Sequence, residues 1–202
     1  MKLFSLDASP FARKARVLVI ELGLEERVEI VNPGAVTPVS NNDQLNAQNP
    51  LGMIPVLLLD DGQSLADSRV VCEYLDRVAG GSFFPDDEER RFKALGLQSL
   101  ADGIMDLSVA VRYEKAMRPE ELQWQNWIDH QQEKVTRSLD ALETQCDSFS
   151  DSPTIGEVTV ACALGYLDFR FSDNDWRSNR PGLSDWFQQM MQRKSLAATV
   201  PE

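Results

Sequence analysis

The chain has 202 residues, a net charge of −12, and ordinary shares of hydrophobic (43%) and charged (26%) side chains, enough for one domain or two small ones. So acidic a surface argues against nucleic acid and against an anionic membrane as partners, since both need a basic face. Three scattered cysteines (Cys72, Cys146, Cys162) and a single histidine, His130, argue against a disulfide framework and against a bound metal such as zinc.

Residues 2–6, KLFSL, are short and apolar-rich, and read as a strand. From Pro10 the period changes: Phe11, Ala15, Leu18 and Leu22 recur at helical spacing up to Gly23. Ser9 followed by Pro10 is a helix-start signature, serine as N-cap and proline at the first helical position. Those two residues alone leave open whether Ser9 also does chemistry. A strand follows at 27–31, then a loop through Asn49. Residues 56–59 form an apolar strand, 60–63 a turn and 64–66 a short antiparallel return. Asp67-Ser68 opens a helix whose buried face carries Val71, Leu75 and Val78, ended by Gly80-Gly81.

The stretch to Asp87 reads as a linker, and everything after it is helical. Helices are expected over 89–116, 120–147, 157–171 and 183–193; the third is apolar almost all round, as in the middle of a bundle. Trp124, Trp127, Trp176 and Trp186 are expected to pack in the core. The expected architecture is α/β plus all-α: domain one over 1–80, a linker over 81–88 and a helical domain over 89–202. The N-terminus lacks a signal-peptide pattern and no apolar run reads as long enough to cross a bilayer, so a cytoplasmic location is expected.

The βαβ-ββα order resembles the thioredoxin pattern. In that fold the proline before the third strand is usually cis, which makes Pro55 of GMIPVL the candidate; the alternative is a trans proline at a strand start. A cis bond would turn the N–H and C=O of Ile54 outward as an edge for an extended peptide.

Five segments in this order carry a wider resemblance: SPFARKAR (9–16), NPLGMIPVLLLDDG (49–62), ADSRVVCEYLD (66–76), ADGIMD (101–106) and TIGEVTVACALGYLDFR (154–170). The sequence resembles the glutathione S-transferases over its whole length, most of all the bacterial serine-type members related to the theta and beta groups. The resemblance implies that Ser9 donates a hydrogen bond to the glutathione sulfur. It implies that Ile54, ahead of Pro55, pairs with the cysteinyl part, and that Asp67 and Ser68 hold the γ-glutamyl end. Two helix N-termini, with Arg13, Lys14 and Arg16 on the first helix, would supply positive potential to an anionic tripeptide. The thiol-reductase branch has cysteine where Ser9 stands, so disulfide exchange is disfavoured here. Thr154-x-x-Glu157 has capping-box spacing ahead of the apolar helix.

The electrophile is expected between the domains. On the 89–116 helix, Asp102, Met105, Asp106, Val109 and Arg112 share a side that would face the cleft, with Phe11 opposite; Leu97, Leu100, Ile104 and Val111 would be core. The pocket set is therefore Phe11, Met105, Val109 and Arg112, with Arg112 meeting an anionic electrophile or leaving group. The expected activity is transfer of the glutathione thiolate to an electrophilic small molecule, or related peroxidase or dehalogenase chemistry. The resemblance also implies a homodimer, joined through the first domain of one chain and the 89–116 helix of the other. The alternative is a non-catalytic module for glutathione binding or protein interaction, to which Met53, where relatives often carry lysine or glutamine, gives weight.

Overall fold

The computed structural model describes residues 1–201. The first part contains β1 (Lys2–Phe4), α1 (Pro10–Glu21), β2 (Glu29–Val31), α2 (Asp43–Asn46), β3 (Val56–Leu58), β4 (Ser64–Leu65) and α3 (Ser68–Ala79). The sheet order is β2-β1-β3-β4, with β1 parallel to β2 and antiparallel to β3, and β4 antiparallel to β3. This is the mixed four-stranded sheet of a thioredoxin-like domain.

The pleat sorts its side chains by parity. Leu3 and Leu57 turn to the main core with Leu18, Val71, Cys72 and Leu75 of α1 and α3. Phe4 and Val56 turn the other way and form a small second core with Leu45. Leu45 belongs to α2, inside the segment read from sequence as a loop. That helix has four residues, too few for a period to show. Asn42 caps it, its Oδ1 accepting the Leu45 N–H at 3.0 Å.

The second part is helical: α4 (Glu88–Met117), α5 (Gln125–Glu143), α6 (Ile155–Arg170), α7 (Pro181–Met190) and α8 (Lys194–Ala197). The continuous helix expected over 120–147 is instead α5 flanked by 3-10 turns at Glu120–Leu122 and Cys146–Ser148. Extended backbone at Gln123 and Trp124 breaks it. Trp124 is correspondingly exposed rather than core, whereas Trp176 is buried and Trp186 packs edge-on against Phe149. The helix expected over 183–193 is α7, starting two residues earlier and stopping at Met190, and α8 follows as a further short helix that was not expected.

One helix, α4, is long and apolar enough in part to cross a membrane by length and composition, contrary to the expectation that no run would be. Here it packs along α6 and α5. The approach to α6 is close at Gly156, where a Cβ would fall 2.8 Å from the Ala94 carbonyl oxygen. The N-terminus of α6 closes as a capping box: Thr154 Oγ1 accepts the Gly156 N–H at 3.2 Å, and Glu157 Oε2 accepts the Thr154 N–H at 2.8 Å. The segment read as a linker is anchored. Phe83 and Phe84 are buried, their N–H groups donate to the two carboxylate oxygens of Asp76 at 3.0 and 3.1 Å, and Phe83 O accepts the Ile155 N–H at 2.8 Å.

The two parts are also tied at the far end of α1. Glu21 accepts two hydrogen bonds from Arg193, at 2.9 and 2.7 Å, and one from Ser195. The Arg193 bonds, helped by Ser195, hold its carboxyl below the ordinary value of 4.5. A carboxylate with a depressed folded pKa contributes stability above its unfolded pKa and loses it as pH falls through the folded one. Glu21→Gln should therefore cost about 2 kcal/mol at neutral pH. The deficit should shrink as pH drops below 4.5 and vanish under stronger acid. Urea denaturation of both proteins across that range measures it.

Candidate active site

Strand direction alone gathers the site. β4 runs parallel to β1, because each is antiparallel to β3. The C-terminal ends of β1 and β4 and the N-terminal end of β3 therefore share one edge of the sheet. Ser9 follows the first, Asp67 and Ser68 follow the second, and Ile54-Pro55 precedes the third. Side chains 58 residues apart are thus neighbours on one rim, from Ser9 to Asp67.

Ser9 is the N-cap of α1, with extended backbone (φ −87°, ψ 118°) and Pro10 in the first turn. Its Oγ accepts the Ala12 N–H at 3.3 Å, and its carbonyl accepts the Arg13 N–H at 2.9 Å. The hydroxyl proton has no acceptor among the described residues. Capping uses a lone pair and leaves the donor free, so cap and hydrogen-bond donor are compatible roles. The side chain is half-buried at the positive end of the helix dipole.

The Ile54–Pro55 peptide is cis, and so is Ala66–Asp67. The β1–β3 ladder ends at the Phe4–Val56 pair, so Ile54 lies past the last rung. Asn49 holds the approach: its Nδ2 donates to Met53 O at 2.8 Å and its Oδ1 accepts the Leu51 N–H at 3.1 Å. Asp67 caps α3, its Oδ1 accepting the Arg69 N–H at 2.8 Å, and it is exposed. Ser68 is buried at 3% exposure, and its hydroxyl makes no hydrogen bond among the described residues.

The positive groups are not arranged as expected. Arg13 and Lys14 are both 0% exposed, and Arg16 is paired with Asp7. Lys14 Nζ donates to Asp102 Oδ1 at 2.7 Å, deep between α1 and α4. Asp102 Oδ2 accepts from Arg69 Nε at 2.8 Å. Asp102 is therefore a buried charge partner, not a cleft residue. Arg69, whose side chain stays 53% exposed beside Ser68, is the cation this rim offers. Its bond to Asp102 raises its pKa above the ordinary value. Partial desolvation and the Asp102 charge push the Asp106 carboxyl up, against the pull of Arg69. Neither Arg69 nor Asp102 as a pair is visible in the sequence, because 33 residues separate them.

Of the expected electrophile set, Phe11, Val109 and Arg112 are half-buried. Met105 is 0% exposed and belongs to the core, so it leaves the set. The helix turns Met105 inward beside Ile104 and Ala101, while Val109 lies one turn on, where the packing opens. Tyr113 donates from its hydroxyl to Val36 O at 3.3 Å, so the end of α4 reaches the loop after β2. Burial pushes the Tyr166 hydroxyl up to about 12, opposed by the nearby Arg170 and Arg112. Cys72, Cys146 and Cys162 are free thiols, and all three are buried. Among the described residues no group of three His, Cys, Asp or Glu side chains is placed to hold a metal ion.

A thioredoxin-like sheet domain with this rim, followed by a helical bundle, is the two-domain architecture of the glutathione transferases. Residues 8–78 match the family described as glutathione S-transferase, N-terminal domain, and residues 125–189 match glutathione S-transferase, C-terminal domain. The chain is 33% identical to the uncharacterized GST-like protein YibF of Escherichia coli K12, covering 100% of this chain and 98% of that one. A glutathione transferase family member from Pseudomonas fluorescens Pf-5, solved with bound glutathione, is 45% identical. It superposes with a TM-score of 0.96 over 100% of this chain and 98% of that one. A structure of a P. fluorescens Pf-5 family member with bound S-(propanoic acid)-glutathione gives 44% identity and a TM-score of 0.92 over the full length of both chains. The chain belongs to the glutathione S-transferase family.

The buried ion group makes a prediction. Lys14→Met strands the Asp102 carboxylate with one partner and should cost about 3–5 kcal/mol. Lys14→Met combined with Asp102→Leu removes the stranded charge and frees Arg69 to water, and should recover at least half of that loss. Urea denaturation of wild type and both variants checks it.

Proposed function

We propose that the protein is a glutathione S-transferase that joins the glutathione thiolate to an electrophilic small molecule. The observation that carries the reading is Ser9 Oγ, fixed at the start of α1 by the Ala12 N–H with its own proton unspent. A free thiol titrates near about 8.5, and lowering that by about two units takes about 2.7 kcal/mol. A hydrogen bond to a charged acceptor contributes about 1.5–3 kcal/mol. A helix N-terminus adds about 0.3–1 kcal/mol. One hydroxyl at this place is therefore sufficient.

In this reading the main chain of Ile54 pairs with the cysteinyl unit, ahead of Pro55. The Asp67 carboxylate takes the γ-glutamyl ammonium. The Ser68 hydroxyl and N–H, at the N-terminus of α3, take its carboxylate, with the Arg69 guanidinium alongside. Phe11, Val109 and Arg112 border the electrophile, and Arg112 meets a negative group on it. The nucleophile belongs to glutathione; the protein orients it and holds it ionised. Peroxide reduction and dehalogenation use the same half-site. The bound glutathione in similar Pseudomonas structures supports the half-site. The reading further takes the chain as a cytoplasmic homodimer that divides at residues 81–88, acting in detoxification.

A second reading, a glutathione-binding or interaction module without turnover, draws on Met53. It stands two residues before Pro55 at 62% exposure, where it offers no polar contact. Retention on glutathione resin with no turnover across a panel of electrophiles would favour it.

Two substitutions separate cap from catalyst. Ser9→Ala loses both roles. Ser9→Asp keeps an equally good cap and adds a charge that repels a thiolate. Titrating the thiolate absorbance of bound glutathione should show a pKa raised by about one unit or more in Ser9→Ala and further in Ser9→Asp. Ser9→Asp should keep near-wild-type stability and lose at least about tenfold in kcat. Identical titrations in all three proteins would reduce Ser9 to a helix cap.

A further inference from the structure

Helix direction brings the last turns of α6 to the electrophile side of the cleft. α6 runs parallel to α4, since Gly156 at its start meets Ala94 and Leu97 near the start of α4. α1 runs antiparallel to both. Its far end reaches Gly81 through Leu22, close in sequence to the Phe83 carbonyl that holds the start of α6, while Arg13 lies against Gly165. The Ser9 end of α1 and the last turns of α4 and α6 therefore lie together. Lys14 meets Asp102 at 2.7 Å, and from there α1 leads back to Phe11 and Ser9 as α4 leads on to Val109 and Arg112.

Arg112 of α4 and Arg170 of α6 stand at this end, and both are half-buried. Each lies close enough to the Tyr166 hydroxyl to pull its pKa down against the burial that raises it. Tyr166 and Arg170, one turn apart, share a face of α6. Neither arginine has a carboxylate partner among the described residues. The carboxylates nearest to them in sequence are committed elsewhere: Glu114 accepts from Arg118 at 2.8 Å, and Asp168 takes both prongs of Arg177 at 2.6 Å. The Phe169 ring, centred 3.9 Å from Arg170 Cζ, braces that guanidinium without neutralising it. The chain has 32 acidic and 20 basic residues, so counter-charges are plentiful, yet these two neighbouring guanidinium groups have none. Partial burial strengthens what an incoming anion gains from them.

Guanidinium groups match the planar, two-oxygen geometry of a carboxylate. Their place also sets the shape of what carries it. Arg112 lies three residues past Val109, about 4.5 Å along α4, close to the width of a benzene ring. Phe11 and Val109 offer apolar surface on the way from Ser9. We propose, resting on the transferase reading above, that the electrophile is an activated aryl halide with a carboxylate across the ring from its reacting carbon, and that Arg112 and Arg170 clamp that carboxylate. The Tyr166 hydroxyl is a third donor to it. The covalent step is substitution. The thiolate sulfur forms the C–S bond at the ring carbon, the C–halogen bond breaks, and halide leaves with the bonding pair; no oxidant or reductant is consumed. Arg170 and Tyr166 thus become specificity residues on α6.

4-Chloro-3-nitrobenzoate and 4-chloro-3-nitrobenzamide differ in charge at that position, and their glutathione conjugates give the same comparison without turnover. By calorimetry on the full chain, the carboxylate conjugate should bind at least about tenfold more tightly than the amide conjugate. The ratio of kcat/KM to the uncatalysed rate constant should favour the benzoate by a similar factor. Arg112→Gln and Arg170→Gln should each cut both preferences to about threefold or less, and Arg170→Lys should keep part of them. The wild-type comparison reads the clamp even if a variant does not fold. A tenfold preference between the conjugates with turnover of neither substrate would overturn the transferase reading while supporting the clamp. Equal affinity of the two conjugates, failure of both to bind, or a full preference surviving in either Gln variant would overturn the clamp itself.

Discussion

Asp102 is a carboxylate at 1% exposure that holds two cations, each from a different helix. Lys14 comes from the second turn of α1, and Arg69 from the first turn of α3. Those are the helices whose N-termini border the rim, and Asp102 itself belongs to α4, which leads into the helical bundle. One carboxylate thus sets the angle between the two helix starts and fixes both against the second part of the chain. A buried group of this kind gives little net stability over an apolar replacement. It does give direction, because both oxygens are used and each accepts from one defined donor.

This arrangement separates the charges that build the site from those that serve it. Lys14 is spent on Asp102, and Arg16 faces Asp7. What remains at the rim is a set of uncommitted donors: the Ser9 proton, the Ser68 hydroxyl, the first-turn N–H groups that the caps do not take, and the exposed part of Arg69. Such donors suit ligands with negative charge at two ends, as a tripeptide thiolate has. Asp67 is only partly committed as well, since one oxygen caps α3 while the carboxylate as a whole stays exposed.

The fold was legible in the sequence wherever local signals and tertiary demand agree. The order of elements, the Ser9-Pro10 helix start, the Asp67-Ser68 helix start and the Thr154–Glu157 capping box follow from turn and cap chemistry, which acts over three or four residues. The cis Ile54–Pro55 bond was implied by the resemblance of the element order to the thioredoxin pattern, which the backbone bears out. What was not legible depends on distance. Met105 has the same helical phase as Val109 and Arg112 to within a turn, and only the packing of α4 decides which of them is covered. Asp102 was expected to face the cleft, and Arg13 and Lys14 to lend it positive potential; all three are buried instead, on partners from 33 to 186 residues away. α2 and α8 are four residues each and carry no period to read. The exposure of Trp124 follows from the extended residues that break the helix around it.

The net charge of −12 is therefore a poor guide to the ligands this fold accepts. Exposed charges are screened within about 8 Å at physiological salt. A ligand at the rim would sit closer than that to a few fixed donors. Inside, where the effective dielectric is low, each nearby donor counts for much more than a distant carboxylate. The overall acidity keeps the chain off polyanions, and the local cations and helix N-termini decide what small anions it holds. Both follow from one distribution: negative charge spread over the surface, positive charge drawn inward along α1, and Arg69 left half-exposed at the first turn of α3.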